Sequence, residues 1–204
     1  MTKGDGVTHL CIVRHGESRW NFERRVQGQL DPTLTELGEQ QVRAVGMRLG
    51  NEPWDAIYSS DLTRARLTAA AIAERTGLTV IERKDLRERY QGRLEGLPHH
   101  EARERFPNWD DPDIGRESAA ELYERAKRVF PEIANAHPNQ RIIVVSHGGI
   151  IQHFFKYLRD TGIAIDTREV TNASVTRFEW GETVRVLSCN DVEHLASNNL
   201  LRPA

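Results

Sequence analysis

Short runs of consecutive apolar residues alternate along this chain with longer stretches in which apolar positions recur every three or four residues. The first pattern suits a buried strand, the second a helix with one apolar face. Read this way, His9 to Val13 is a strand. Thr35 caps a helix whose Val42, Val45 and Leu49 share a face and which stops at Gly50. A second strand falls at 56–59, and Asp61 is placed to cap an Ala-rich helix ending near Gly77. A third strand follows at 79–82. Ser118 and Glu121 form a capping box for a helix carrying Leu122, Ala126, Val129 and Ile133 on one side, which Pro131 is expected to kink or shorten. RIIVVS at 141–146 is the clearest buried strand and predicts a helix over 148–159 after it. The segments 175–180 and 183–187, separated by Gly181 and Glu182, read as a closing hairpin.

Strands alternating with helices predict an α/β fold around a mainly parallel sheet, the last hairpin adding one antiparallel strand. No repeat, low-complexity tract or Ser/Gly linker interrupts the pattern, so a single domain over 1–204 is expected. In such sheets ligands collect at the carboxyl ends of the strands. Four of these ends carry chemistry: Arg14-His15-Gly16, Ser59-Ser60-Asp61 leading to Arg64, Arg87-Glu88-Arg89, and His147-Gly148-Gly149. Any one His or Arg after a strand is more often a hydrogen-bonded loop residue than a catalyst. Together, guanidinium forks that bind phosphate and imidazoles able to act as nucleophiles near neutral pH suggest phosphoryl transfer. Gly148 and Gly149 open a helix, where backbone N–H groups favour an anion.

Composition narrows the partners. Against 28 Lys and Arg stand 30 Asp and Glu, a formal net charge of −2, so nothing global recruits nucleic acid or an anionic membrane. The basic residues of 83–105 are interleaved with Glu82, Asp85, Glu88, Glu95, Glu101 and Glu104 and read as a solvated surface. Met1 to Leu10 lacks the basic start and apolar stretch of a secretory signal, and no run approaches the roughly 20 apolar residues of a membrane span. Cys11 and Cys189 show no CxxC spacing; free thiols in a reducing cytoplasm are expected, and a disulfide has no positive support. The eight histidines match no zinc-site spacing, so no metal is expected.

RHGES at 14–18, SSDLTRARLTA at 59–69, LRERYQGRLEG at 86–96 and VVSHGG at 144–149 resemble, in order, the four signatures of the histidine phosphatase superfamily. The narrower similarity is to the branch of cofactor-dependent phosphoglycerate mutases and related phosphatases. NASVTRFEW at 172–180 and NDVEHL ending at 195 resemble its last strands. The resemblance implies a three-layer αβα sandwich in which His15 is the nucleophile and forms a phosphohistidine. It makes Arg14, Arg64 and His147 the holders of the phosphoryl oxygens, Asn21 a further donor, and Glu88 the general acid and base. No cofactor is implied, and the expected partner is a small phosphorylated metabolite met by a monomer or homodimer.

The mutases resembled here have a long insertion after the acid motif, with a Lys soon after its end and a consecutive Arg pair further on. This chain has His99 at the Lys position and about twenty residues from Gly96 to Arg116 without an Arg pair. That favours a phosphatase over a mutase. A catalytically silent phosphate-binding module is the third reading, and one with little use for Glu88. RES at 116–118 departs from the glycine-first form common among the phosphatases, and Gln91 and Leu94 stand where an aromatic pair is often found. Substrate selection is expected from His99, His100, Arg103, Trp109 and Arg116, in the segment that covers the cleft in relatives.

Overall fold

A computed structural model describes residues 6–166 and 169–202; the first residues of the polar start and the last two of the expected domain lie outside the described residues. A six-stranded sheet runs β3 (Val80–Glu82), β2 (Ala56–Ser59), β4 (Arg141–Ser146), β1 (Thr8–Arg14), β5 (Val175–Trp180), β6 (Val184–Asp191). β1 to β4 are parallel, and β5 is antiparallel to both its neighbours. This is the mainly parallel sheet with one antiparallel strand that the alternation predicts.

Period-two alternation within the strands divides the core. Leu10 and Ile12 of β1 and Ile142 and Val144 of β4 face α5 (Ala119–Asn135) and α6 (Gly148–Asp160). Cys11, Val13, Ile143 and Val145 face α2 (Glu36–Leu49) and α3 (Thr63–Thr76). Strands apolar on both faces must be covered twice, which produces the three-layer αβα arrangement. Each fully buried aliphatic side chain contributes about 1.5–3 kcal/mol relative to exposure. Short helices α1 (Arg19–Phe22), α4 (His99–Arg105) and α7 (Glu193–Ala196) lie outside these layers in sequence.

The helix signals hold in part. Thr35 caps α2 through Gly38 N, and Ser118 with Glu121 forms the capping box of α5. Asp61 does not cap α3. It pairs with Arg87 at 2.6 Å, while Asp31 receives the Thr63 backbone N–H at 2.8 Å. Pro131 does not end α5, which continues to Asn135. β6 runs to Asp191, four residues beyond the predicted 187, and accommodates two register shifts against β5 with an extra residue on β6 at each. Among the described residues no helix is long and apolar enough to cross a membrane.

Candidate active site

The site is assembled by sheet register. β1 and β4 are parallel neighbours with Arg14 opposite Ser146, so the residues that follow, His15 and His147, emerge side by side. The His15 N–H donates to the Ser146 carbonyl at 3.0 Å, and the two imidazole centroids are 5.1 Å apart. β2 ends next to β4, and the chain turns into α3, whose first turn carries Arg64. After β3 a short helical turn, 84–86, leads to Glu88, and the Leu86 carbonyl accepts from Ser146 Oγ at 2.7 Å. Four strand ends thus meet in one place.

His15 is 2 % exposed, and its Nδ1 lies 2.7 Å from the carbonyl of Gly16. That oxygen can only accept, so Nδ1 carries the proton and Nε2 keeps its lone pair. Burial first, then the charges of Arg64 and Arg14, hold the ring well below the ordinary imidazole value of 6.5, against the opposing Gly16 bond. The loop stays narrow because it abuts α2: a Cβ at Gly16 would meet Val42 Cγ1 at 2.6 Å, and one at Gly38 would meet the Glu17 carbonyl at 2.0 Å. Glu17 itself is buried and paired with Arg202, whose Nη2 is 2.9 Å from Oε1, and it accepts from Thr35 Oγ1 at 2.7 Å. The C-terminal segment is therefore fastened to the loop that carries His15.

Arg64 is fully buried. Its Nη atoms donate to the carbonyls of Leu30 (2.9 Å) and Gly28 (2.8 Å), and burial lowers its pKa to about 10. Arg14 donates to the Val170 carbonyl. Four donor-capable atoms are sealed from solvent without a protein partner: Arg14 Nε, Arg64 Nε and both nitrogens of His147. Burying such groups unpaired costs roughly 1–3 kcal/mol each, a cost that an anion held among them offsets. Burial, then the Arg64 charge, the neighbouring His15 and Arg14, keeps His147 well below 6.5.

Glu88 accepts the Arg89 N–H at 2.7 Å on Oε1 and the Gly149 N–H at 2.9 Å on Oε2. The first turn of α6 therefore does meet an anion at Gly149, but it is the protein's own carboxylate. A Cβ at Gly149 would lie 2.2 Å from Glu88 Oε1, so glycine is what lets the carboxylate sit there. Gly148 passes close to Arg14, where a Cβ would be 3.4 Å from Nε. Asn21 lines the cleft with its Oδ1 committed to the capping box of α1, leaving the amide N–H groups as its donors.

Arg14, His15, Asn21, Arg64, Glu88 and Gly149 open into one cleft of about 390 Å³, whereas His147 and Gly148 are not part of its lining. His99, Trp109 and Arg116 line it as expected; His100 and Arg103 do not, and both are exposed. Two contributors, Arg125 and His153, were not named from the sequence, whereas Arg89 stands in the Arg87-Glu88-Arg89 strand end named there. Arg89 lines the cleft, and Arg125 holds the loop of Glu88 by donating to the Arg87 carbonyl (2.6 Å) while paired with Glu117 (2.7 Å). His153 adds a third imidazole to the lining, its Nδ1 donating to the Gly149 carbonyl at 2.8 Å. An i, i+4 spacing from Gly149 was the only available signal for it. Among the described residues no group of three or more His, Cys, Asp or Glu is placed to hold a metal ion.

Known proteins resemble this chain in sequence and in fold. A metal-independent phosphoserine phosphatase of Arabidopsis thaliana is 39 % identical over 209 residues, covering 96 % of this chain and 87 % of the relative. The phosphoglycerate mutase-like protein 4 of the same plant is 37 % identical over 205 residues, covering 95 % and 89 %. A phosphoserine phosphatase from Entamoeba histolytica, solved in complex with 3-phosphoglyceric acid, superposes with a TM-score of 0.77 at 28 % identity, covering 92 % of this chain and 99 % of that one. The model of the histidine phosphatase superfamily, branch 1, matches residues 10–192, and the chain belongs to that family.

Proposed function

We propose that the protein is a phosphatase that hydrolyses small phosphomonoesters through a phosphohistidine on His15. The ester's phosphoryl group lies among Arg14, Arg64, His147 and Asn21. Nε2 of His15 attacks phosphorus as the bond to the leaving oxygen breaks, and Glu88 delivers a proton to that oxygen. Water then attacks phosphohistidine, Glu88 takes its proton, and inorganic phosphate leaves with His15 neutral again. The observation that carries this reading is the Nδ1–H bond to Gly16 inside a cluster of guanidinium groups, which leaves a neutral ring with its lone pair free. The buried guanidinium groups supply the positive charge that phosphoryl transfer requires.

The reading extends to the whole chain: one domain over 1–204, monomeric or homodimeric, cytoplasmic, acting on a phosphorylated metabolite without nucleic acid or an added cofactor. Two free cysteines among the described residues support a reducing compartment. The short segment between Glu88 and Arg116 supports hydrolysis over mutase action, since it lacks the Lys and Arg pair described above.

The test is hydrolysis of p-nitrophenyl phosphate and a panel of phosphorylated sugars, acids and nucleotides in the presence of EDTA. Turnover that His15→Ala lowers by on the order of 10⁴ or more, with folding intact by circular dichroism, supports the proposal. Absence of turnover across the panel refutes it. Conversion of 3- to 2-phosphoglycerate that needs 2,3-bisphosphoglycerate and outruns phosphate release would assign a mutase instead.

A further inference from the structure

Two segments near the end of the chain, 170–174 and 190–195, do not line the cleft, and the chemistry above gives them no part. The first nevertheless grips the residues that do the work. The Val170 carbonyl takes the Arg14 guanidinium, and the Ser174 carbonyl takes the Arg14 backbone N–H at 3.2 Å. The His15 carbonyl receives two donors from the same segment, the Ala173 N–H at 3.1 Å and the Asn172 side-chain amide at 3.0 Å. That amide also donates to Asn21 Oδ1 at 3.2 Å. The shape of 170–174 therefore decides where Arg14 and His15 stand.

That shape is not one the segment would choose. Ala173 is fully buried at φ +55°, in the left-handed region that a residue with a Cβ disfavours, so its conformation is imposed by what surrounds it. The second segment supplies the constraint. Asn190 Oδ1 accepts the Thr171 N–H at 2.7 Å, Leu195 shares a buried cluster with Ala173, and His194 Nε2 lies 3.0 Å from the Ala173 carbonyl. A carbonyl only accepts, so Nε2 carries the proton. Nδ1 faces Arg48 Nη1 at 2.9 Å, a group that only donates, so Nδ1 is bare. Arg48 is held in turn by Asp191, with Nη1 3.0 Å from Oδ1. Burial first and then the Arg48 charge lower the His194 pKa to about 4, which leaves the ring neutral at pH 7.

We infer that His194 is a positioning residue for the nucleophile: in the tautomer that Arg48 imposes it pins the Ala173 carbonyl, and 170–174 then holds His15 and Arg14 in place for attack. The inference rests on the phosphatase reading above. Without the His194 bond, Ala173 relaxes out of the left-handed region, and the N–H on its other side turns away from the His15 carbonyl. The phosphoryl group is still bound, because Arg64 and His147 do not depend on this segment. What is lost is the alignment of Nε2 with phosphorus, to which the rate of a displacement is far more sensitive than binding is.

The test is kinetic, on p-nitrophenyl phosphate. His194→Leu is expected to lower kcat at least about tenfold with KM within about twofold of wild type, and to weaken inhibition by vanadate, which takes the geometry of the transition state, more than inhibition by phosphate. His194→Gln, whose amide can still donate to the Ala173 carbonyl, should recover kcat to within about threefold of wild type. Arg48→Met keeps the imidazole but releases its tautomer, and should lower kcat at least about threefold with KM again preserved; it carries the test if His194→Leu does not fold. An unchanged kcat, a loss that appears mainly in KM, or a loss that His194→Gln does not restore would assign His194 to packing alone and overturn the inference while leaving hydrolysis established. A wild type without turnover on any ester would strike the phosphatase reading, and this inference with it.

Discussion

The imidazole of His147 lies 5.1 Å from that of His15, tilted by 56°, and neither of its nitrogens has a partner. Both rings are held well below 6.5, chiefly by burial. The folded state therefore keeps them neutral where the unfolded chain already binds protons, so stability rises with pH between the depressed folded values and 6.5 and is lost as pH falls below 6.5. Each ring contributes at most about 1.4 kcal/mol per pH unit in that window. Melting curves between pH 5 and 8 should show the loss. Sulfate, an anion that does not titrate there, should restore stability at the acid end by pairing with protonated His147. A melting temperature flat in pH would contradict this account of the two rings.

Glu88→Gln removes the proposed proton donor and also puts an amide where two backbone N–H groups need acceptors, leaving one of them facing an NH₂ group. We expect kcat to fall by about 10²–10⁴, with the larger loss for alkyl phosphates and the smaller for p-nitrophenyl phosphate, whose leaving group needs little protonation. Equal losses on both would show that Glu88 is not the acid.

Gly149→Ala separates position from identity at the same carboxylate. Its methyl would lie 2.2 Å from Glu88 Oε1 and must push it aside. The variant should keep phosphate binding at the cradle but lose about tenfold or more in kcat on alkyl phosphates, since a misplaced acid is a weak one. Full activity in a crystallographically verified variant would mean that the acid tolerates displacement.

Arg202→Ala tests the fastening of the loop that carries His15. Burial raises the Glu17 carboxyl, but the hydrogen bonds from Arg202 and Thr35 outweigh it and leave the group below its usual 4.5. The pair's contribution is thus present above pH 4.5 and lost as pH falls through the lower folded value. Arg202 is 47 % exposed, so about 1 kcal/mol is expected, a drop of about 2–4 °C at pH 7 that narrows toward pH 3.5. A difference independent of pH would assign the effect to the contact of Arg202 with the Phe22 ring, 4.4 Å away.

Much of this architecture was readable because its signals are local. RIIVVS is apolar on both faces, and the structure places a strand on those six residues. Ser118 and Glu121 satisfy each other across three residues and need nothing distant. The convergence of His15, Arg64, Glu88 and His147 followed from one rule about strand ends. Asp61 was misread because its carboxylate had a stronger partner, Arg87, twenty-six residues away. Arg89 was named at a strand end but also falls among the charges of 83–105, where composition favours a solvated face and only folding shows which guanidinium turns inward. The Glu17 and Arg202 pair spans 185 residues, beyond the reach of any window along the chain.

The Nδ1 bond of His15 goes to a main-chain oxygen, a group that every amino acid possesses. No side-chain replacement at that acceptor can therefore retune which nitrogen keeps its lone pair, whereas His99, Trp109 and Arg116 in the cleft lining are each open to exchange. Descendants of this protein are consequently free to drift in what the cleft admits while inheriting unchanged the tautomer of this imidazole.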